Sequence, residues 1–250
     1  MYINDTHILA YLIIIILGGI VGYFLSWCNY RLPNEKTVFC KEYFKERKNI
    51  KTNYSLIIIT AILYSVILYK YGIHWEFPKD LNLLMYLILT PMLLTAFVID
   101  FKLQIIPNRL NLTIFETGLI FTFLYGITSN ITVAINMLLG GLAGAGIFLA
   151  ITLIGGAIAG KEAMGFGDVK LMGGLGLYFG LVNIIVISII AFLLGAIISI
   201  ILLISKKKST DEYIPFGPFI VLATLITIIV PSELLLVILF KIFTLGMYKG

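Results

Sequence analysis

Long, uninterrupted apolar runs constrain the fold of this chain more than any other feature. Residues 8–27 and 171–205 contain no charged side chain, and each run is long enough to cross a hydrocarbon core of about 30 Å. Hydrophobic residues make up 60% of the chain and charged residues 12%, and the mean hydropathy is +1.04. Because soluble domains and transmembrane β-barrels lack such runs, the sequence predicts an all-α integral membrane protein.

The runs divide into about eight transmembrane helices, which predicts a polytopic helical bundle. The predicted spans are residues 8–27, 54–71, 81–99, 110–125, 131–158, 170–180, 184–205 and 219–245. The first run has no basic segment before it and is long enough to span, so it is not predicted to be a cleaved signal peptide.

The boundary between the sixth and seventh spans rests on length. The 35 uncharged residues 171–205 would form a single helix of about 52 Å, which far exceeds the hydrocarbon core. We therefore predict a break at residues 180–183, with a short span before it and an ordinary span after it.

The distribution of lysine and arginine predicts the orientation. With eight spans, 14 of the 18 basic residues lie in loops on one side of the membrane, seven of them in residues 28–53. The positive-inside rule places this side in the cytoplasm and both termini outside. Asp100, which closes the third predicted span, and Asp168, which precedes the sixth, then share the cytoplasmic side.

These two aspartates are the candidate catalytic residues. An ionisable side chain near a bilayer core is costly and indicates function, although a carboxylate at a helix end is also explained by solvation. Glycines at 165 and 167 distinguish Asp168 from that simpler explanation, because they allow close backbone approach. Two aspartates on the same side would form an aspartic protease dyad.

The segment Gly165-Phe166-Gly167-Asp168 resembles the GxGD signature of the bacterial type IV prepilin leader peptidases. Four other stretches resemble the same family in the same order. They are Gly22-Tyr23-Phe24-Leu25 with Tyr30-Arg31-Leu32-Pro33, Asp100 with Ile106-Pro107, Lys161-Glu162-Ala163-Met164, and Pro215-Phe216-Gly217-Pro218. The resemblance thus covers nearly the whole chain.

The resemblance implies a membrane aspartic endopeptidase. Its substrates would be prepilins or pseudopilins with a short basic leader and a hydrophobic helix, as in type IV pilus, type II secretion or competence systems. The enzyme would lie in the bacterial cytoplasmic membrane, with its active site facing the cytoplasm, and would contact lipid but no nucleic acid. Proteolysis itself would need no cofactor.

The resemblance also suggests roles for residues around the aspartates. Asp100 and Asp168 would be catalytic, and Gly165, Gly167, Glu162 and Lys170 would form a supporting loop. Lys170 would either bias the protonation of the dyad or extend to the lipid headgroups, and we favour the headgroups. Pro107, Pro215, Gly217 and Pro218 would lie near the substrate.

Several departures from the family concern the first loop. Many members carry two CxxC pairs there, whereas this chain has only Cys28 and Cys40, with eleven residues between them. Two thiols do not complete a tetrahedral zinc site, so we predict no metal. We divide the chain into residues 1–53, a reduced amino-terminal element, and residues 54–250, the peptidase domain. The loop is short, so N-methylation with S-adenosylmethionine, an activity of bifunctional members, is left open.

Two other classes of protein remain as alternatives. A small secondary transporter or channel would use Asp100, Glu116 and Asp168 as ion or proton sites at broken helices. The sequence shows no convincing internal repeat of the kind that such transporters carry. A membrane assembly factor with a degenerate protease scaffold would not need to retain both aspartates.

Overall fold

The computed structural model describes residues 2–3, 6–38, 43–47, 50–159, 164–205 and 214–244. Apart from a short antiparallel pair, β1 (Tyr2–Ile3) and β2 (Thr6–His7), the described elements are helices. They are α1 (Ile8–Arg31), a 3-10 turn (Leu32–Asn34), α2 (Tyr43–Glu46), α3 (Tyr54–Tyr71), α4 (Phe77–Leu103), α5 (Asn108–Thr128), α6 (Ile131–Ala159), α7 (Phe166–Ile204), α8 (Gly217–Ile229) and α9 (Ser232–Phe243).

Six of the described helices are long and apolar enough to cross a membrane: α1, α3, α4, α5, α6 and α7. Large apolar side chains such as Ile16, Ile62 and Phe123 are exposed on the outside of the bundle. A helix satisfies its own backbone hydrogen bonds, so these outer faces suit a lipid environment. The predicted all-α polytopic fold is confirmed.

Helix α7 folds back on itself at Gly180, inside the predicted break at 180–183. Gly180 has φ 72° and ψ 179°, a backbone conformation that glycine adopts readily. A Cβ built on Gly144 of α6 would contact both the Met172 carbonyl and the Ile184 side chain. In a straight helix these two residues would be about 18 Å apart. Residues 166–179 and 181–204 are therefore two antiparallel helices that meet at Gly180.

Glycine contacts hold α6 and α7 together. Gly140 on α6 lies directly against Gly176 and Gly180, and a Cβ on Gly140 or Gly176 would overlap the facing backbone. The side chain of Asn136 reaches the reversal itself, and its Oδ1 accepts a hydrogen bond from the Leu181 N–H at 3.3 Å. Small residues at a helix interface permit such close backbone approach in a membrane.

The two ends of the bundle are defined by contacts between helix ends. We call one the aspartate end, formed by the carboxyl ends of α1 and α4 and the amino ends of α5, α7 and α8. Gly217 at the start of α8 contacts Asp100 there. At the opposite end, the Ile228 carbonyl accepts hydrogen bonds from Lys70 Nζ at 2.7 Å and Tyr71 Oη at 3.0 Å. Helix α8 therefore runs from one end to the other.

The last predicted span, residues 219–245, is wrong as a single helix. Helix α8 ends at Ile229, and α9 begins at Ser232 after Pro231. Proline has no backbone N–H to donate and disfavours helical geometry in the residue before it; Val230 is accordingly extended. Residue 245 lies outside the described residues.

The described part of the first loop is held against α1 by two buried arginines. Arg31 Nη1 donates to Glu46 Oε2 at 2.7 Å, and its guanidinium lies 4.8 Å from the Trp27 ring centroid. The Arg47 guanidinium lies 3.9 Å from the Tyr23 ring centroid. Arg47 also donates to the backbone carbonyl of Tyr23 at 3.1 Å. Buried guanidinium groups need such partners, so these contacts stabilise the loop against α1. The division of the chain at residue 53 stays a prediction.

We expect Gly140→Leu to disrupt the bundle, because a larger side chain would overlap the α7 backbone at Gly176 and Gly180. The matched control is Gly146→Leu on the same helix, where an added Cβ meets no atom within 4 Å. Thermal unfolding of the detergent-solubilised proteins would measure the difference. Equal stability of the two variants would contradict the α6–α7 contact.

Candidate active site

Asp100 begins the last turn of α4. The predicted third span ends just before this residue, whereas the helix continues beyond it. The helix continues to Leu103 and closes with Gln104 in a left-handed conformation, whose N–H donates to the Asp100 carbonyl at 2.9 Å. The side chain is only 4% exposed. The backbone N–H of Gly217 donates to its carboxylate, and a Cβ on Gly217 would come within 2.6 Å of Oδ2. Glycine is thus required for α8 to approach Asp100.

Asp168 lies in the first turn of α7, although the sequence predicted that it precedes the helix. It is also 4% exposed. Its backbone N–H donates to the Gly165 carbonyl at 3.1 Å, and its carboxylate accepts a hydrogen bond from the Gly165 backbone. A carboxylate in the first turn also interacts favourably with the positive end of the helix dipole. The short GxGD segment therefore both starts the helix and fixes the aspartate.

The structure brings the two aspartates together at one end of the bundle, where their charges interact. The Ile106 side chain connects the two sides of the site. It lies 3.2 Å from where a Cβ would stand on Gly167 and 3.2 Å from where one would stand on Gly217. Residues from α4, α7, α8 and the α4–α5 connection thus converge on the pair.

Each aspartate keeps one carboxylate oxygen free of protein donors. Asp100 Oδ2 and Asp168 Oδ1 are buried and accept no hydrogen bond from the described residues. A buried carboxylate oxygen without a donor is costly, because it has lost its hydration. Two such oxygens, on carboxylates near enough to influence each other's charge, suit a water molecule or a polar group of a substrate.

Sequence reasoning missed Asn111, which fastens the GxGD segment to α5. Asn111 is 3% exposed, and its Nδ2 donates to the Gly167 carbonyl at 3.0 Å. One turn earlier on α5, Asn108 Oδ1 accepts a hydrogen bond from the exposed Lys170 Nζ at 2.7 Å. The first turns of α5 and α7 are therefore joined by two side-chain contacts. The only indication of this role in the sequence is an asparagine near the start of an apolar helix, and such a residue is a weak indication of a contact to another helix.

The remaining predicted residues divide into three groups. Lys170 contacts Asn108, which differs from both roles predicted for it, at the dyad and at the lipid headgroups. Pro215 and Pro218 are buried on either side of Gly217, and Pro107 immediately precedes α5. Glu162 lies outside the described residues.

Glu116 is exposed on the outer face of α5. It therefore does not join the aspartate pair. An ion pathway through all three acids would require it to do so.

Metal ligands are not grouped in the described part of the chain, where no three His, Cys, Asp or Glu side chains lie together. Cys28 is buried in α1, and Cys40 lies outside the described residues. The expectation of a metal-free protein stays a prediction.

Comparison with known proteins finds sequence similarity in the region that contains the two aspartates. Residues 87–200 match the family described as the type IV leader peptidase family. A "Prepilin leader peptidase/N-methyltransferase" from Xanthomonas campestris pv. campestris is 30% identical over 178 residues, which cover 70% of this chain and 58% of the relative. A protein of that name from Legionella pneumophila is 34% identical over 155 residues, 61% of this chain and 52% of the relative.

The chain thus spans less than two thirds of the length of these relatives. No solved structure matches it. The matches give the transporter alternative no support. The matched segment contains Asp100, Asn111 and Asp168, and in this segment the chain is similar to the type IV leader peptidases, as its GxGD motif predicts.

Proposed function

We propose that this protein is a membrane aspartic endopeptidase that removes the short basic leader of prepilin-like or pseudopilin proteins. The observation that carries the proposal is the buried pair of Asp100 and Asp168, whose carboxylates interact at one end of the bundle. The two relatives described above are named "Prepilin leader peptidase/N-methyltransferase", and the peptidase part of that name supports this choice of reaction and substrate.

The chemistry follows from two neighbouring carboxylates. They cannot both ionise cheaply, so one retains a proton and the pair titrates as a unit. The ionised member takes a proton from a water molecule, which attacks the scissile carbonyl carbon. The protonated member donates to the carbonyl oxygen, and the amine then leaves with a proton. Asp100 and Asp168 would carry these two roles between them.

A cavity of about 440 Å³ beside the aspartates supports access for a peptide segment. It is lined by Leu32 and Pro33 after α1, by Glu35, and by residues 105–109 between α4 and α5. Ile106, one of its lining residues, packs against the Gly167 and Gly217 positions that flank the pair. Pro107 and Gly217 would accordingly lie near the substrate, with Pro215 and Pro218 supporting Gly217 from buried positions.

In the described part of the first loop, the side chains do not form an evident site for the sulfonium cation of S-adenosylmethionine. The cavity of about 420 Å³ there is lined by Tyr30, Lys36, Glu46, Ile50 and Lys51. Its one acid, Glu46, is paired with Arg31, so two lysines would face the sulfonium cation. It also shares no lining residue with the cavity beside the aspartates. We therefore propose proteolysis and leave N-methylation open.

The asymmetric loop charges support a cytoplasmic position for the aspartate end, in a bacterial cytoplasmic membrane, with both termini outside. A basic leader would then meet the dyad at the membrane surface on the side where it is synthesised. The amino-terminal element, residues 1–53, would cover one side of the peptidase domain.

The orientation can be tested by cysteine labelling of intact cells, in a background with both native cysteines changed to serine. We expect a membrane-impermeant maleimide to label Asn130→Cys, between α5 and α6, and not Lys102→Cys at the aspartate end. The reverse pattern would overturn the cytoplasmic position of the site.

We expect Asp100→Asn and Asp168→Asn each to lower leader cleavage by about 10³-fold or more, because asparagine cannot hold or pass the proton. The double variant should be no worse than either single variant, since the pair acts as one unit. Co-expression with a prepilin and a mobility shift would measure cleavage. Substantial activity in one single variant, at normal expression, would refute the dyad.

We expect Asn111→Ala to lower kcat roughly tenfold, because the Gly167 carbonyl would lose its donor and Asp168 would shift. The matched control, Asn108→Ala, removes an exposed contact to Lys170 and should have a smaller effect. Steady-state kinetics would separate kcat from KM. Equal kcat values for the two variants would contradict the positioning role of Asn111.

A double variant, Cys28→Ser with Cys40→Ser, should cleave the leader at nearly the rate of the parent protein. The expectation rests on the predicted absence of a metal site. Metal analysis of purified protein would accompany the assay. Stoichiometric zinc that disappears in the variant together with activity would show that the expectation is wrong.

A further inference from the structure

A third cavity, larger than the two described above, lies between α1, α4 and α5. Its volume is about 470 Å³. Its walls are mainly apolar and include Phe24 and Leu25 from α1, Met92 from α4 and Leu110 from α5. Phe24 and Met92 are only half-buried, so the cavity opens sideways to the surroundings of the bundle. In a membrane those surroundings are lipid.

Two cationic side chains line this cavity at the aspartate end. Lys36 lies just after the 3-10 turn that follows α1, and Arg109 is the second residue of α5. Both are exposed, and neither forms an ion pair within the described residues. Arg31 and Arg47, by contrast, are buried and engaged by Glu46 and by aromatic rings. The nearby acid Glu35 does not line this cavity; it lines the cavity beside the aspartates, which Arg109 also lines.

The apolar part of the cavity extends away from the cations, toward the middle of the bundle. Pro91 lines it twelve residues before the end of α4, which corresponds to about 18 Å along a helix. The cavity thus has a positively charged end at the membrane surface and an apolar end within the membrane. This distribution matches an amphiphile with an anionic headgroup.

We propose that the cavity binds one anionic phospholipid, with its phosphate between Lys36 and Arg109 and an acyl chain along Met92 and Leu110. Basic pockets between transmembrane helices attract anionic headgroups in this manner. The leader of the proposed substrate is basic, so the two cations disfavour it at this position. Neither aspartate lines this cavity, so lipid binding does not depend on catalysis, although Arg109 also lines the cavity beside the aspartates.

Tryptophan fluorescence can test the site, because the Trp27 indole donates to the carbonyl of Val38, a residue that lines the cavity. Trp75→Phe removes the other tryptophan. The protein would be reconstituted in phosphatidylcholine vesicles that contain brominated phosphatidylglycerol or, in parallel, brominated phosphatidylcholine. We expect phosphatidylglycerol to quench Trp27 at much lower mole fractions.

Two kinds of variant separate charge from shape. Lys36→Gln with Arg109→Gln should reduce the preference for phosphatidylglycerol by about fivefold for each cation, roughly 30-fold for both. Lys102→Gln, which removes an exposed charge at the same end but outside the cavity, should leave the preference unchanged. Thr113→Phe should block the apolar part and reduce quenching while both cations remain.

Three results would overturn the proposal. They are equal quenching by the two lipids, an unchanged preference in the double variant, and full competition by millimolar inorganic phosphate, which would indicate a site for a free anion. If the double variant does not fold, the two single substitutions and Thr113→Phe decide the outcome. Leader cleavage by the same preparations is measured separately, so loss of lipid preference and loss of peptidase activity are distinguishable.

Discussion

The reversal of α7 at Gly180 determines how the rest of the bundle is arranged. Because the helix turns back, its amino end with Asp168 and its carboxyl end both lie at the aspartate end of the bundle. Helix α8 can then begin at that end and place Gly217 against Asp100. The reversal itself depends on direct backbone contact with α6 at Gly140. A larger side chain there would separate the helices, and Asp168 would lose its position relative to Asp100.

The site illustrates how a membrane protein holds two carboxylates away from water. Each aspartate is positioned by a glycine backbone, Asp100 by Gly217 and Asp168 by Gly165. Backbone donors hold one part of each carboxylate, and a buried oxygen of each stays free of protein donors. The arrangement lowers the stability of the fold, since buried charge is unfavourable. A catalytic role that needs both carboxylates explains why the protein has them in these positions.

The sequence was sufficient to predict much of the fold because hydrophobic length and charge are strong constraints in a membrane. The break near Gly180 followed from the length of an uncharged run, and the structure has its reversal there. The break at Pro231 was visible in the sequence as well, but the apolar run on both sides of it was read as one span. The carboxyl end of α4 and the amino end of α7 are each predicted four residues short, which places both aspartates outside helices that in fact include them.

Side-chain contacts between distant helices were harder to predict. Asn111 and Gly167 are far apart in the sequence, and only the packing of α5 against α7 brings them together. The partner of Lys170 was missed for the same reason, because Asn108 belongs to another helix. The two aspartates themselves were predictable, since an acid at the end of an apolar run stands out without knowledge of its neighbours.

The most direct test of the central claim, that Asp100 and Asp168 activate water for peptide cleavage, is a single-turnover reaction in ¹⁸O-labelled water. The purified protein in vesicles would cleave a peptide with a basic leader, a glycine and an apolar helix, and mass spectrometry would analyse the released leader. The account predicts one ¹⁸O atom in the new carboxylate of the leader. Release of a leader without ¹⁸O, or no release at all, would contradict it.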